Sequence, residues 1–268
     1  MSKLFAADMY KIIKSKLTLV LLIIAVGLPV LLVLTSFFMK LFAASLVSDP
    51  TEEALISSMF DAKTLMASSF SMTNNLGLII PIFSAIIVGN DLSNGTLRNK
   101  IIAGHKRWHI YLSHLLTMII YDVVAILIGF GITSLLSIAF FGYGVEFTGA
   151  EALNLVYFII TGIMAFAFLA SLSTLLSLVM KSTPLAIVLV VAITFAITLI
   201  ASVLPLLEFF DIEKIKYLMY AVPSYVNTQF ASDKIDTIMF IISMVSYLFF
   251  IAINTVFGIL LFNKKELK

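Results

Sequence analysis

Six long apolar runs constrain the fold of this chain more than any other feature of its sequence. They cover about 17–39, 70–88, 110–141, 152–180, 185–207 and 238–262. About 20 consecutive apolar residues are enough for a helix to cross a hydrocarbon core of roughly 30 Å. The runs also lack the alternation of polar and apolar residues found in the strands of membrane β-barrels. The sequence therefore predicts an all-α polytopic membrane protein, with six transmembrane helices in a single domain over 1–268.

Composition excludes several other classes of protein. Hydrophobic residues make up 61% of the 268 residues and charged residues 12%, whereas an average soluble domain is about 25% charged. The chain has no cysteine, which excludes a disulfide framework and any Cys-based zinc or redox site. Its net charge of +2 does not indicate a nucleic-acid-binding protein.

The distribution of charge predicts how the six spans are oriented. Six crossings place both termini and the loops 89–109 and 181–183 on the same side of the membrane. That side carries 12 of the 17 basic residues: Lys3, Lys11, Lys14, Lys16, Arg98, Lys100, Lys106, Arg107, Lys181, Lys264, Lys265 and Lys268. The opposite side carries 11 of the 15 acidic residues. Because lysine and arginine collect on the cytoplasmic side of membrane proteins, both termini are predicted to be cytoplasmic.

Residues 1–16 are predicted to form an interfacial helix ahead of the first span. One apolar stripe follows helical spacing: Phe5, Met9, Ile12 and Ile13. Lysines on the opposite face would meet anionic lipid headgroups. The alternative is a basic flank that only sets orientation. The first apolar run has 23 residues, longer than the roughly 7–15 of a signal peptide, so we expect an uncleaved anchor.

The loop 89–109 contains a short amphipathic helix, predicted over 97–103. Asn94-Gly95 indicates a turn, Thr96 is a candidate N-cap and Gly104 a candidate stop. The apolar residues Leu97, Ile101 and Ile102 share one side of two helical turns. The basic residues Arg98 and Lys100 lie elsewhere on the helix. This pattern is typical of a helix that docks into a partner or rests on lipid. A basic loop that only sets topology remains the alternative.

Two segments on the outer side are long enough to hold structure of their own. Residues 40–69 are polar and acidic, whereas 208–237 begin acidic and become apolar and aromatic. The second segment is too short to span, and its tyrosines suit headgroup depth, so interfacial or re-entrant helices are predicted there. An ordinary outer loop is the alternative.

The sequence lacks the motifs of the common catalytic sites. It contains no G-x-x-x-x-G-K-[ST] phosphate loop, no G-x-S-x-G and no H-E-x-x-H. The chain is therefore expected to have no nucleotide site and no enzymatic activity of its own. His105, His109 and His114 are loosely spaced on a helix, but basic residues flank them and no carboxylate is close in sequence, so no metal site is predicted.

Asp122 is the one acidic residue inside a predicted span. It lies about 18 Å along a helix that begins near Ile110, which is close to the middle of the membrane. An acid at that depth must face protein or water and find a partner, for which Thr117 and Tyr121 are the nearest hydroxyl groups. Asp122 either bonds one helix to another or lines a pathway.

Together these features resemble the ABC type-2 (ABC-2) permease family, the membrane subunits of many bacterial ABC exporters. In the loop after span two, that family shows an acidic residue, then Gly-Thr, a short basic and apolar helix, and an arginine before span three. The corresponding residues here are Asp91, Gly95, Thr96, Leu97, Arg98, Lys100, Ile101 and Arg107. Two departures are His105, close to where the family often has proline, and His114, where it often has lysine.

The resemblance implies a mechanism. The residues just named would contact a separate ATPase subunit, present in two copies and holding ATP and Mg, while this chain binds no cofactor. The helix at 97–103 would act as a coupling helix. A second permease, identical or homologous, would complete the exporter in the bacterial cytoplasmic membrane, with a drug, antimicrobial peptide or lipid-like substrate. The alternative is a non-transporting immunity or scaffold protein, or a stand-alone ion-coupled carrier.

Overall fold

Helices account for nearly all of the ordered chain. The computed structural model describes residues 2–46, 60–143, 146–180, 182–205, 215–230 and 235–265, and within these ranges it contains helices and no strand. The helices are α1 (Ser2–Ile13), α2 (Lys16–Leu46), α3 (Ala62–Ser69), α4 (Leu76–Ser93), α5 (Thr96–Ile102), α6 (Arg107–Phe141), α7 (Gly149–Val179), α8 (Thr183–Val203), α9 (Ile215–Ala221), α10 (Tyr225–Gln229) and α11 (Thr237–Lys264).

The expectation of six helices able to cross a membrane is confirmed among the described residues. α2, α4, α6, α7, α8 and α11 are long and apolar enough to do so. Four of them, α6, α7, α8 and α11, match the predicted runs closely at both ends. α2 continues well past residue 39, to Leu46, and α4 is displaced at both ends from the predicted 70–88. The predicted outer segments 40–69 and 208–237 fall partly outside the described residues. Their described parts include α3, α9 and α10.

The second span begins later than its apolar run suggests. Asp61 caps α3, accepting a hydrogen bond from the Thr64 backbone N–H at 2.6 Å, and that helix stops at Ser69. The chain then turns through Asn75, whose φ is +47°, before α4 starts. The prediction that residues 70–75 belong to the span is therefore wrong, because capping and turn residues separate two helices there.

α7 lies at the centre of the bundle, packed against α4, α6, α8 and α11. Small residues allow close approach: a Cβ on Gly162 would meet the ring of Phe70 at about 2.5 Å. Hydrogen bonds also cross between helices, since the amide of Asn254 on α11 donates to Ser171 at 2.9 Å. Small residues and interhelical hydrogen bonds are the means by which helices associate in lipid.

The two ends of the bundle differ in chemistry. At one end, which we call the terminal end, α1, α5 and the last residues of α11 come together with the start of α6. At the other, the far end, aromatic rings form the core. Phe70 stacks on Phe130 at 4.8 Å between centroids, and Phe158 stacks on Phe230 at 4.0 Å.

Candidate partner-docking site

The short helix predicted in the loop after the second span is present as α5, one residue earlier than expected. Its N-cap is Gly95, at φ +70°, and not Thr96. At its other end Gly104 has φ +87°, where an L side chain is strained. The N–H of Gly104 bonds to the carbonyl of Ile101, and that of His105 to the carbonyl of Lys100. This Schellman pattern ends the helix, so two glycines fix its length.

The orientation of α5 differs from the sequence expectation. Leu97 is 1% exposed and packs in the core of the chain, and Ile101 packs against that core. Ile102 instead is 75% exposed, with Arg98 and Asn99 also on the surface. The apolar side that we expected to meet a partner is thus mostly turned inward. Ile102, Arg98 and Asn99 are the exposed side chains of α5.

Two ion pairs join α5, α1 and α4 at the terminal end. The Lys100 ammonium donates to Oδ1 of Asp8 on α1 at 2.5 Å, and the Lys11 ammonium donates to Oδ1 of Asp91 at the end of α4. Both carboxylates are buried. Lys100 and Asp91 therefore have partners within the chain.

Two residues of α6 complete this group. Ser113 donates its hydroxyl to Oδ2 of Asp8 at 2.5 Å. Nε2 of His114 lies 3.1 Å from the Lys100 ammonium and 3.8 Å from Oδ2 of Asp91. We call the group the ionic clamp. Its members are Asp8, Lys11, Asp91, Lys100, Ser113 and His114.

The clamp also contains a set of ligand atoms that a metal ion would accept. Atoms of Asp8, Asp91 and His114 lie within 4.8 Å of one another, so the expectation that no carboxylate is near the histidines is wrong for His114. However, each carboxylate already accepts a bond from an ammonium group, Lys100 or Lys11, and the two positive charges balance the two negative ones. A divalent cation would have to displace both lysines, which favours ion pairing over metal binding.

The clamp explains why the buried face of α1 matches the predicted stripe only in part. The buried side chains of α1 are Leu4, Asp8 and Ile12, whereas Ile13 is 64% exposed. A search for apolar residues at helical spacing does not select Asp8. The partners that allow Asp8 to be buried lie about 90 to 105 residues away in the sequence. The sequence signal was a single acid in an otherwise basic helix, together with polar Ser113 and His114 early in a span.

Arg107 bonds to the end of the last span. Its Nη1 donates to the carbonyls of Phe262, Asn263 and Lys265 at 3.1, 3.0 and 2.5 Å. These carbonyls lie at the end of α11, where a helix leaves acceptors without partners. The positive charge also favours this end of the helix dipole. Arg107 thus fastens the end of the last span to the start of the third.

Lys265 makes a similar connection to the central helix. Its ammonium donates to the carbonyls of Leu178 and Met180 at 3.0 and 2.7 Å, at the end of α7. Burial lowers the pKa of this ammonium from its usual value. Through Arg107 and Lys265, the ends of α7 and α11 are bound to the start of α6.

Asp122 is buried in the bundle but its partner is not the one expected. The hydroxyl of Ser84 on α4 donates to Oδ1 of Asp122, whereas Thr117 donates to the backbone carbonyl of Ser113 at 2.7 Å. Asp122 therefore joins α6 to α4. Oδ2 has no hydrogen-bond partner among the described residues.

Comparison with known proteins identifies a family for most of this chain. Residues 53–267 match the family model described as "Protein of unknown function (DUF2705)". The chain belongs to the DUF2705 family. The DUF2705 match contains α5, Asp91, Lys100 and His114, whereas Asp8 and Lys11 precede it. A comparison with curated proteins finds no significant match.

Proposed function

We propose that this chain is the membrane-spanning permease subunit of an ATP-driven ABC exporter in the bacterial cytoplasmic membrane. α5 is the observation that carries the proposal. It is a short helix between the second and third spans, anchored by Leu97 and presenting Ile102 and Arg98 to solvent. An exposed apolar side chain beside a cation suits an apolar pocket with an acidic rim on a partner protein. That partner is a separate ATPase.

The ionic clamp supports a route from α5 to the spans. Lys100 ties α5 to α1, Lys11 ties α1 to the end of α4, and Ser113 brings α6 to the same carboxylate as Lys100. The Lys100–Asp8 pair is largely buried, and a buried ion pair is costly to break. A movement imposed on α5 by the ATPase is therefore carried to α1, α4 and α6 together.

The remaining parts of the proposal follow from the resemblance to ABC-2 permeases. Two ATPase copies, which hold ATP and Mg, act on two permeases, either identical or homologous. The terminal end is the cytoplasmic one, and this chain is neither an enzyme nor a cofactor carrier. The cargo is a drug, an antimicrobial peptide or a lipid-like molecule.

Co-purification with a P-loop ATPase encoded beside this gene tests the proposal. Ile102→Asp places a carboxylate in the contact, where burial without a partner costs about several kcal/mol, so the ATPase recovered should fall at least tenfold. Arg98→Glu should also weaken binding, by reversing the charge facing the acidic rim. Leu97 is unsuitable for this test, because Leu97→Asp would disturb the chain's own core.

Two control variants separate docking from folding. Ile102→Leu keeps an apolar side chain, and Ser93→Asp adds a carboxylate at an exposed position at the end of α4. Both should retain the ATPase, and all variants should reach the membrane at equal levels. Equal ATPase recovery with Ile102→Asp and wild type would contradict docking through α5. No ATPase recovered with wild type would contradict the whole proposal and favour a non-transporting immunity or scaffold protein.

A further inference from the structure

An apolar groove opens between two of the spans, in the half of the bundle nearer the far end. Its volume is about 740 Å³. α8 and α11 form its sides, α9 closes its far end, and α7 provides its floor through Phe168 and Leu172, which are 4% and 5% exposed. The mouth is formed by exposed side chains of both sides, Ile200 of α8 with Val245 and Phe249 of α11. The groove is therefore open sideways, towards lipid.

The lining offers almost nothing to a polar ligand. The described residues that line the groove include no charged side chain. Ser246 donates its hydroxyl to the carbonyl of Ala221, and the Asn254 amide donates to Ser171. These polar side chains thus have partners within the chain, so the groove favours an apolar occupant.

The dimensions indicate which apolar occupant fits. Along α11 the lining runs from Ile241 to Asn254, about 20 Å at 1.5 Å per residue, whereas one leaflet contributes about 15 Å of hydrocarbon. The groove is long and wide enough for an extended hydrocarbon chain, and its uncharged lining and sideways opening favour such a chain from the surrounding lipid.

We propose that this groove binds one acyl chain of a phospholipid, which enters sideways from the leaflet at the far end. The chain lies along α11 with its terminus over Phe168 and Leu172, and its headgroup remains at the level of α9. Each methylene of the acyl chain that enters the groove makes van der Waals contacts with side chains of α7, α8 and α11. The proposal does not depend on the docking of an ATPase to α5.

Photolabelling of the purified full chain in phosphatidylglycerol and phosphatidylethanolamine vesicles tests it. The probe is a trace of phosphatidylglycerol that carries a diazirine near the end of one acyl chain, and mass spectrometry of peptides locates the adducts. Lipid surrounding the bundle reaches only exposed side chains. Adducts on Phe168 or Leu172 are expected only if an acyl chain enters the groove.

Matched tryptophan variants confirm where the labelled chain lies. Ile200→Trp and Val245→Trp fill the mouth from opposite sides and should lower labelling of the α7 floor about tenfold. Leu199→Trp and Leu248→Trp are controls, because both residues are similarly exposed on the same helices but do not line the groove. Labelling confined to outward residues, equal loss in the control variants, or a second copy cross-linked within the groove would each overturn the proposal.

Discussion

The ammonium of Lys100 lies 2.5 Å from Oδ1 of Asp8, although 92 positions separate the two residues in the chain. This contact ties the candidate docking helix α5 to the N-terminal helix α1. The side chains are 13% and 4% exposed, so water screens the pair poorly. The same atoms that hold α5 in place are positioned to transmit its movement.

Breaking this pair should destabilise the protein. Lys100→Met leaves the Asp8 carboxylate buried without its cation and should lower the free energy of unfolding by about 3 kcal/mol. The double variant Lys100→Met/Asp8→Asn should lose less than the two single effects combined, because it leaves no unpaired charge. Denaturant unfolding in detergent measures the two single variants and the double variant. Lys106→Met, at an exposed position, is the control. Strictly additive effects would show that the pair does not couple.

The end of the last span should loosen when Arg107 is replaced. Arg107→Lys keeps the charge but loses the guanidinium geometry that reaches three carbonyls. Hydrogen bonds from charged donors contribute about 1.5–3 kcal/mol, so amides in the last turn of α11 should exchange at least tenfold faster. Hydrogen–deuterium exchange with mass spectrometry reads this directly. Exposed Arg98→Lys should leave α11 unchanged, and an unchanged rate in both variants would contradict the assignment.

Two substitutions of Asp122 distinguish a structural role of this residue from a functional one. Asp122→Asn keeps an oxygen that accepts from Ser84, and the bundle should remain stable. Asp122→Leu leaves the Ser84 hydroxyl buried without its acceptor, at a cost of about 1–3 kcal/mol, which Ser84→Ala in the same chain should largely relieve. Thermal unfolding and export are measured together. Lost export in a stable, well-expressed Asp122→Asn variant would indicate a pathway role instead.

The orientation in the membrane can be tested because the natural chain has no cysteine. Ser93→Cys, Ser182→Cys and Asn263→Cys lie at the terminal end, and Thr148→Cys lies at the opposite end. If the terminal end is cytoplasmic, only Thr148→Cys should react with an impermeant thiol reagent in intact cells. Reaction of Ser93→Cys from outside would reverse the orientation. Thr51→Cys and Ser232→Cys, which the sequence also predicts to react, fall outside the described residues.

The sequence predicted the elements of this fold better than their contacts. Apolar runs locate the spans, and Gly104 predicts the end of α5, because both depend on neighbouring residues. The partners of Asp8 could not be predicted in this way, since Lys100 and Ser113 reach it only after α1, α5 and α6 have packed. Leu97 and Ile102 show the same limit. Both belong to one apolar pattern, but packing against the core buries Leu97 and leaves Ile102 exposed.

Photo-cross-linking from α5 tests the central claim most directly. The variant Ile102→p-benzoylphenylalanine places a reactive group at the exposed apolar position of α5. Phe147→p-benzoylphenylalanine, 64% exposed at the opposite end, is the control. In intact cells, position 102 should form an adduct with a protein that carries a G-x-x-x-x-G-K-[ST] motif, identified by mass spectrometry, and position 147 should not. A chain that reaches the membrane normally but forms no such adduct from position 102 would contradict the account.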